Sequence, residues 1–85
     1  MPPSEDQLAS LTWLRDQFTA GRIAPEDLLL HLEPALVAAP LQMPEGVIRL
    51  LVNRVERITH TESEPRRSVL LAEVLEESVR RASGL

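Results

Sequence analysis

Apolar positions recur along the chain at three- and four-residue intervals, in four blocks separated by proline, glycine or polar breaks, and this spacing predicts four amphipathic helices. In the first block Leu8, Leu11, Leu14 and Phe18 share one face with Trp13 nearby, while Asp6, Arg15, Asp16 and Gln17 take the other. Ser4 followed by Gln7 reads as a capping box, with Glu5 and Asp6 where the positive end of a helix dipole favours them. Gly21 supplies the left-handed residue that commonly stops a helix. Pro25 suits the first position of the next helix, because its missing N–H would be unpaired there anyway, whereas Ala24 before it is a poor cap. The second stripe is Leu28, Leu29, Leu32, Leu36 and Val37. Pro34 interrupts it, removing one hydrogen bond and crowding the preceding turn, so this helix is expected to kink or break near Glu33 and Pro34.

Pro40 and Pro44 bracket a short connection, and Pro44-Glu45-Gly46 opens a third helix with Val47, Ile48, Leu51, Val52, Val55 and Ile58 inward. It reads as the most apolar of the four and is expected at the centre. Thr59 to Glu64 form a polar break, after which Pro65 starts a fourth helix whose Val69, Leu70, Val74, Leu75, Val79 and Ala82 face the core. Connections this short make sequential helices antiparallel neighbours. The expected fold is all-α: a small four-helix up-and-down bundle, its second helix kinked or broken near Pro34, forming one domain over residues 1–85.

Composition narrows the function classes. Hydrophobic residues make up 44% of the chain but aromatic ones only 2%, so the core must be built from Leu, Val, Ile and Ala. The absence of cysteine excludes a disulfide scaffold, a thiolate metal site and a cysteine nucleophile. Thirteen acids against nine bases, all arginine, give a net charge of −4, which opposes binding to nucleic acid or to an anionic membrane and favours a basic partner. No apolar run reaches the ~20 residues that span a bilayer, and the acidic N-terminus is unlike a signal peptide, so a cytoplasmic location is expected.

Few residues suggest chemistry. Glu56 and His60 stand four apart on the third helix, a spacing that lets two ligands share a cation, but zinc would want more nitrogen or sulfur ligands, and a solvated helix end is the plainer reading. His31 lies alone in the leucine-rich second helix and reads as a rim residue. Ser10, Ser63, Ser68, Ser78 and Ser83 fall at caps or helix surfaces in no nucleophile motif. No catalytic, cofactor or metal site is assigned, and the chain is read as a non-enzyme. Arg66-Arg67 and Arg80-Arg81 could mark a nucleic-acid face, yet Glu73, Glu76 and Glu77 lie within ion-pairing reach on the same helix. The second helix opens on Glu26 and Asp27, which would repel phosphates in a helix-turn-helix arrangement. There remains the stretch from Glu56 to Glu64, with Glu56, Glu62 and Glu64 against Arg57 alone. It is either a solubilising corner or a partner surface whose carboxylates offer arginine and lysine the acceptors that phosphates would.

Three segments resemble the small helical immunity proteins that neutralise colicin D and related tRNA-cleaving bacteriocins. They are the hairpin from Phe18 to Leu28, Val55-Glu56-Arg57-Ile58 with the acidic loop behind it, and Leu71-Ala72-Glu73-Val74-Leu75-Glu76-Glu77-Ser78, which is similar to the family's C-terminal helix. The likeness in length and helix order extends over nearly the whole chain. Ala24 stands where that family usually has a serine or threonine cap, and Leu28 where it often has phenylalanine. The resemblance implies an inhibitor that covers the basic catalytic surface of a ribonuclease toxin domain. It implies Glu56, Glu62 and Glu64 as the inhibitory carboxylates, with His60 a hydrogen-bonding neighbour. No nucleic acid or membrane partner is expected, and the protein would be a monomer or weak homodimer. The alternative is a helical adaptor or dimerisation module presenting an apolar groove around Leu29, Leu36, Val37, Leu41 and Met43, held open by Pro40 and Pro44.

Overall fold

The computed structural model describes residues 7–36 and 44–83. Among these residues there are four α-helices and one 3-10 turn: α1 (Gln7–Thr19), the turn Pro25–Asp27, α2 (Leu28–Leu36), α3 (Glu45–Thr61) and α4 (Arg66–Ala82). Each helix packs on the next in sequence and α4 closes back on α1, the ring of contacts of a four-helix bundle. The capping box at Ser4 and the residues Val37, Pro40, Leu41 and Met43 lie outside the described residues.

The stop after α1 follows from Gly21, whose φ of +78° is open to glycine at no steric cost. That conformation lets the Arg22 N–H reach the Gln17 carbonyl and the Gly21 N–H the Phe18 carbonyl, both at 3.0 Å, which satisfies two of the carbonyls a helix end leaves unpaired. Ala24 then acts as N-cap without a side-chain hydrogen bond, and Pro25 occupies the first position of the 3-10 turn. Of the kink or break expected near Pro34, the break is absent: α2 runs unbroken from Leu28 to Leu36 with Pro34 inside it. Leu30 and Pro34 are both exposed, so the carbonyl that proline leaves without a donor faces water, which can replace the lost bond. The irregularity falls instead at the start of α2, in the 3-10 turn.

The core is largely leucine: Leu11, Leu14, Leu28, Leu32, Leu36, Leu51, Leu71 and Leu75 are all shut off from solvent, with Val55 and Val74 beside them. Each such leucine stabilises the fold by about 1.5–3 kcal/mol relative to leaving it exposed. Burial corrects three expectations. First, α2 rather than α3 is the most apolar helix, and α3 does not sit at the centre: its main contacts are with α2 and α4, as one member of the ring. Second, the buried stripe of α4 is Leu71, Val74, Leu75, Ser78 and Ala82, while Val69 is 56% exposed and Leu70 half-buried. Ser78 lies inside the core, not on a surface, and its hydroxyl donates to the Val74 carbonyl at 2.8 Å, so the buried oxygen is paired. Third, α3 continues through Thr59, His60 and Thr61, with Thr59 and Thr61 donating back to the carbonyls of Val55 and Arg57. The polar break is therefore only the short turn between Thr61 and Arg66.

One further polar group is buried. Gln7, in the first turn of α1, is closed off from solvent, and its side-chain amide nitrogen donates to the carbonyl of Leu36 at the end of α2. A helix-terminal carbonyl is thus satisfied from a neighbouring helix.

Two glycines give opposite expectations. Gly21→Ala forces an L residue into the left-handed region and should lower stability by about 1–2 kcal/mol. Gly46→Ala lies in the exposed first turn of α3, where a Cβ meets nothing, and should raise stability by about 0.5–1 kcal/mol. Urea denaturation midpoints of the two variants check both signs.

Candidate functional site

The four residues expected at a partner surface share one corner of the bundle, where α3 ends and α4 begins. Glu56 and His60 stand one turn apart on the last two turns of α3 and both are exposed, because α3 buries Ile48, Leu51 and Val55 on its opposite side. Glu62 is the C-cap of α3, its N–H donating to the Ile58 carbonyl at 3.0 Å. Its carboxylate meets Arg66 Nε at 3.0 Å, and its own carbonyl accepts from Arg67 Nε at 3.0 Å. Glu64 accepts on one carboxylate oxygen from the Ser68 N–H at 3.2 Å and the Ser68 hydroxyl at 2.6 Å. That places a negative charge at the positive end of α4, where it is stabilising by about 0.3–1 kcal/mol.

Two of the three carboxylates therefore have a local task as well: Glu62 and Glu64 hold the turn that joins the helices. Folding also changes the charge of the corner. In the linear stretch three acids stand against Arg57, but Arg66 and Arg67 come onto the same turn and bring it close to balance. The Glu62–Arg66 pair is an i,i+4 contact between an exposed arginine and a half-buried glutamate, of the kind worth about 1 kcal/mol or less. Glu56 forms no ion pair among the described residues. No three His, Cys, Asp or Glu side chains among the described residues are grouped so as to hold a metal ion. The hydroxyls of Ser68, Ser78 and Ser83 go to the Glu64 carboxylate and to the carbonyls of Val74 and Arg80.

The strongest ion pairing lies elsewhere, between helices. Glu77 on α4 accepts from Arg54 of α3 at 2.6 Å and from Arg81, one turn along its own helix, at 2.9 Å. These two hydrogen bonds, Arg54 first, hold its carboxyl below the ordinary value of 4.5 against the opposing effect of burial. Arg15 ties α1 to α4 through Glu76 at 3.2 Å. The pairing expected within α4 is thus realised only for Glu77 and Arg81, since Glu76 is taken by α1. Glu73 and Arg80 have no side-chain partner among the described residues. They flank an open groove of about 650 Å³, also lined by Arg54, Val69 and Ala72. Sequence reading missed this groove because it placed Val69 in the core. The signal that would have found it is the polar residue in the stripe: admitting Ser78 as a core position rotates the buried face of α4 and turns Val69 outward.

Of the apolar groove named as an alternative, Leu36 is fully buried and Leu29 half-buried, so Leu36 is not available to a partner helix. No helix among the described residues is long and apolar enough to cross a membrane. No protein-family model, curated protein or solved structure matches the chain.

A carboxyl whose folded pKa lies below its unfolded value contributes stability that is present above the unfolded value and lost as pH falls through the folded one. Glu77 should therefore stabilise the bundle above pH 4.5, and that contribution should fade with acidification below it. Glu77→Gln removes the titrating group. Thermal melts across pH 3–7, a range on the order of the carboxylate titration, should show a shallower acid limb for this variant than for the parent.

Proposed function

We propose that this chain is a non-catalytic protein ligand: an immunity-type inhibitor that covers the basic RNA-binding surface of a ribonuclease toxin domain with its α3–α4 corner. The observation that carries the reading is the way Glu64 and Glu62 are held. Each is fixed by a contact inside the corner, Glu64 by Ser68 and Glu62 by Arg66, beside the exposed Glu56 and His60. Acceptors already held in position lose less side-chain freedom on binding than free surface glutamates would. The carboxylates of Glu56, Glu62 and Glu64, with His60 beside them, offer arginine and lysine acceptors of the kind an RNA backbone presents. Inhibition on this reading is occlusion: the toxin's substrate surface is filled and no bond is made or broken.

The resemblance of the hairpin, the corner and the fourth helix to colicin D-type immunity proteins supports the same reading, as does the net charge of −4, which speeds encounter with a basic surface. The adaptor alternative has less to stand on once Leu36 is committed to the core.

Capture from a lysate of the source organism at low ionic strength, with salt elution and mass spectrometry, should release a basic ribonuclease domain; a partner that resists salt would overturn the reading. Glu56→Gln, Glu62→Gln and Glu64→Gln combined should then weaken inhibition of that nuclease by about tenfold or more, since charge-assisted hydrogen bonds contribute roughly 1.5–3 kcal/mol each. Unchanged inhibition by a triple variant of native helicity would remove the corner from the site. Glu56→Gln alone separates binding from turn stability, because Glu56 has no ion pair among the described residues.

A further inference from the structure

The net charge is unevenly placed along the chain. Over residues 44–83 arginines and glutamates are equal in number and no aspartate occurs, so the whole excess of −4 falls on residues 1–43. Glu26, Asp27 and Glu33 belong to that excess, and all three are exposed with no side-chain partner among the described residues. They surround Leu30, which at 74% is the most exposed large hydrophobic side chain among the described residues. Leu28, Leu32, Ala35 and Leu36 form the buried side of α2, and the helical pitch puts Leu30 opposite them. On the same pitch Glu26 and Glu33 flank Leu30 on one side and Asp27 on the other, with the exposed Pro34 one turn further on. A single exposed leucine calls for no partner, but carboxylates on both its flanks give this one a defined complement.

We infer that this face of α2 docks a basic amphipathic helix of a partner protein, with Leu30 against the partner's apolar stripe and Glu26, Glu33 and Asp27 against the lysines or arginines beside that stripe. Charge selects this occupant. A second copy of the chain would set carboxylates against carboxylates on both flanks, and the phosphates of a nucleic acid or an anionic lipid surface would be repelled likewise. A neutral apolar helix would shut water away from the carboxylates and return no counter-charge. The chain supplies none itself: Arg15 is held by Asp16 and Glu76, and Arg22 forms no ion pair among the described residues. Area sets the strength. α2 has nine residues and so a face of about 13 Å by 10 Å, well short of the ~800 Å² that each partner gives to a standard interface. The contact is therefore of the weak, reversible class, with one leucine as its anchor. It shares no residue with the α3–α4 corner and is independent of the function proposed for that corner.

A short amphipathic helical peptide of leucine and lysine is the probe, titrated at low ionic strength into the isotope-labelled full chain and followed by amide chemical shifts. The shifts should centre on residues 25–34, and the affinity should fall as salt is raised. Leu30→Ser removes the anchor from a position already in water, so it should leave the helicity seen by circular dichroism unchanged and weaken binding by about tenfold or more. Glu33→Lys, clear of the helix start, should weaken it severalfold. Leu50→Ser serves as the control, because Leu50 is also exposed but lies on α3, and it should bind the peptide like the parent. Shifts centred on the α3–α4 corner, or a Leu30→Ser or Glu33→Lys variant that binds like the parent, would overturn the inference. So would shifts at residues 25–34 that grow with protein concentration in the absence of peptide, since they would make a second copy the occupant.

Discussion

The packing of α4 on α1 is the contact on which the other elements depend. With Trp13 and Phe18 as the sole aromatic residues, the chain must gain its stability from many aliphatic side chains of similar size. Close approach of helices then matters more than any single large anchor. The stripe of α4 meets that need by mixing large and small positions: leucines and a valine at Leu71, Val74 and Leu75, then Ser78 and Ala82. Arg15 and Glu76 join the same two helices at the surface, but such an exposed pair adds little beside the burial beneath it. α2 packs on α1 and α3 on α4, and the contact between α2 and α3 closes the ring.

Much of this was legible in the residue pattern. The four helices, the glycine stop at Gly21, the weak cap at Ala24 and the proline start at Pro25 are local effects, decided by φ, by a missing N–H and by the periodicity of leucine. What the pattern misjudged was decided at longer range. Pro34 is tolerated because its side of α2 faces water, which depends on where the rest of the bundle lies. Ser78 looks like a surface residue until its hydroxyl is paired with Val74, and admitting it to the core moves Val69 out. The candidate corner was visible as a run of acids, but the arginines that balance it come from the next helix and are read as neighbours only after the chain has turned.

The corner and the outer face of α4 use charge in different ways. At the corner, carboxylates are fixed by short local contacts and keep acceptor capacity for something outside the chain. On α4, Glu76 and Glu77 are drawn to arginines of α1 and α3, while Glu73 and Arg80 beside the groove have no side-chain partner among the described residues. A protein with a uniformly acidic surface would show neither arrangement. The distribution of paired and unpaired charge therefore carries more information about partners than the net charge does.

The buried amide of Gln7 has a consequence for alignment. A wall made of leucines is nearly indifferent to whether one helix slides along another by a turn, because one leucine replaces the next with little change in contact. The amide is not indifferent, since its nitrogen donates to the last carbonyl of α2. Sliding by one turn would strand a polar group in an apolar interior, at a cost of about 1–3 kcal/mol. A single hydrogen bond thus acts as a key that selects one register out of several that the leucines alone would accept.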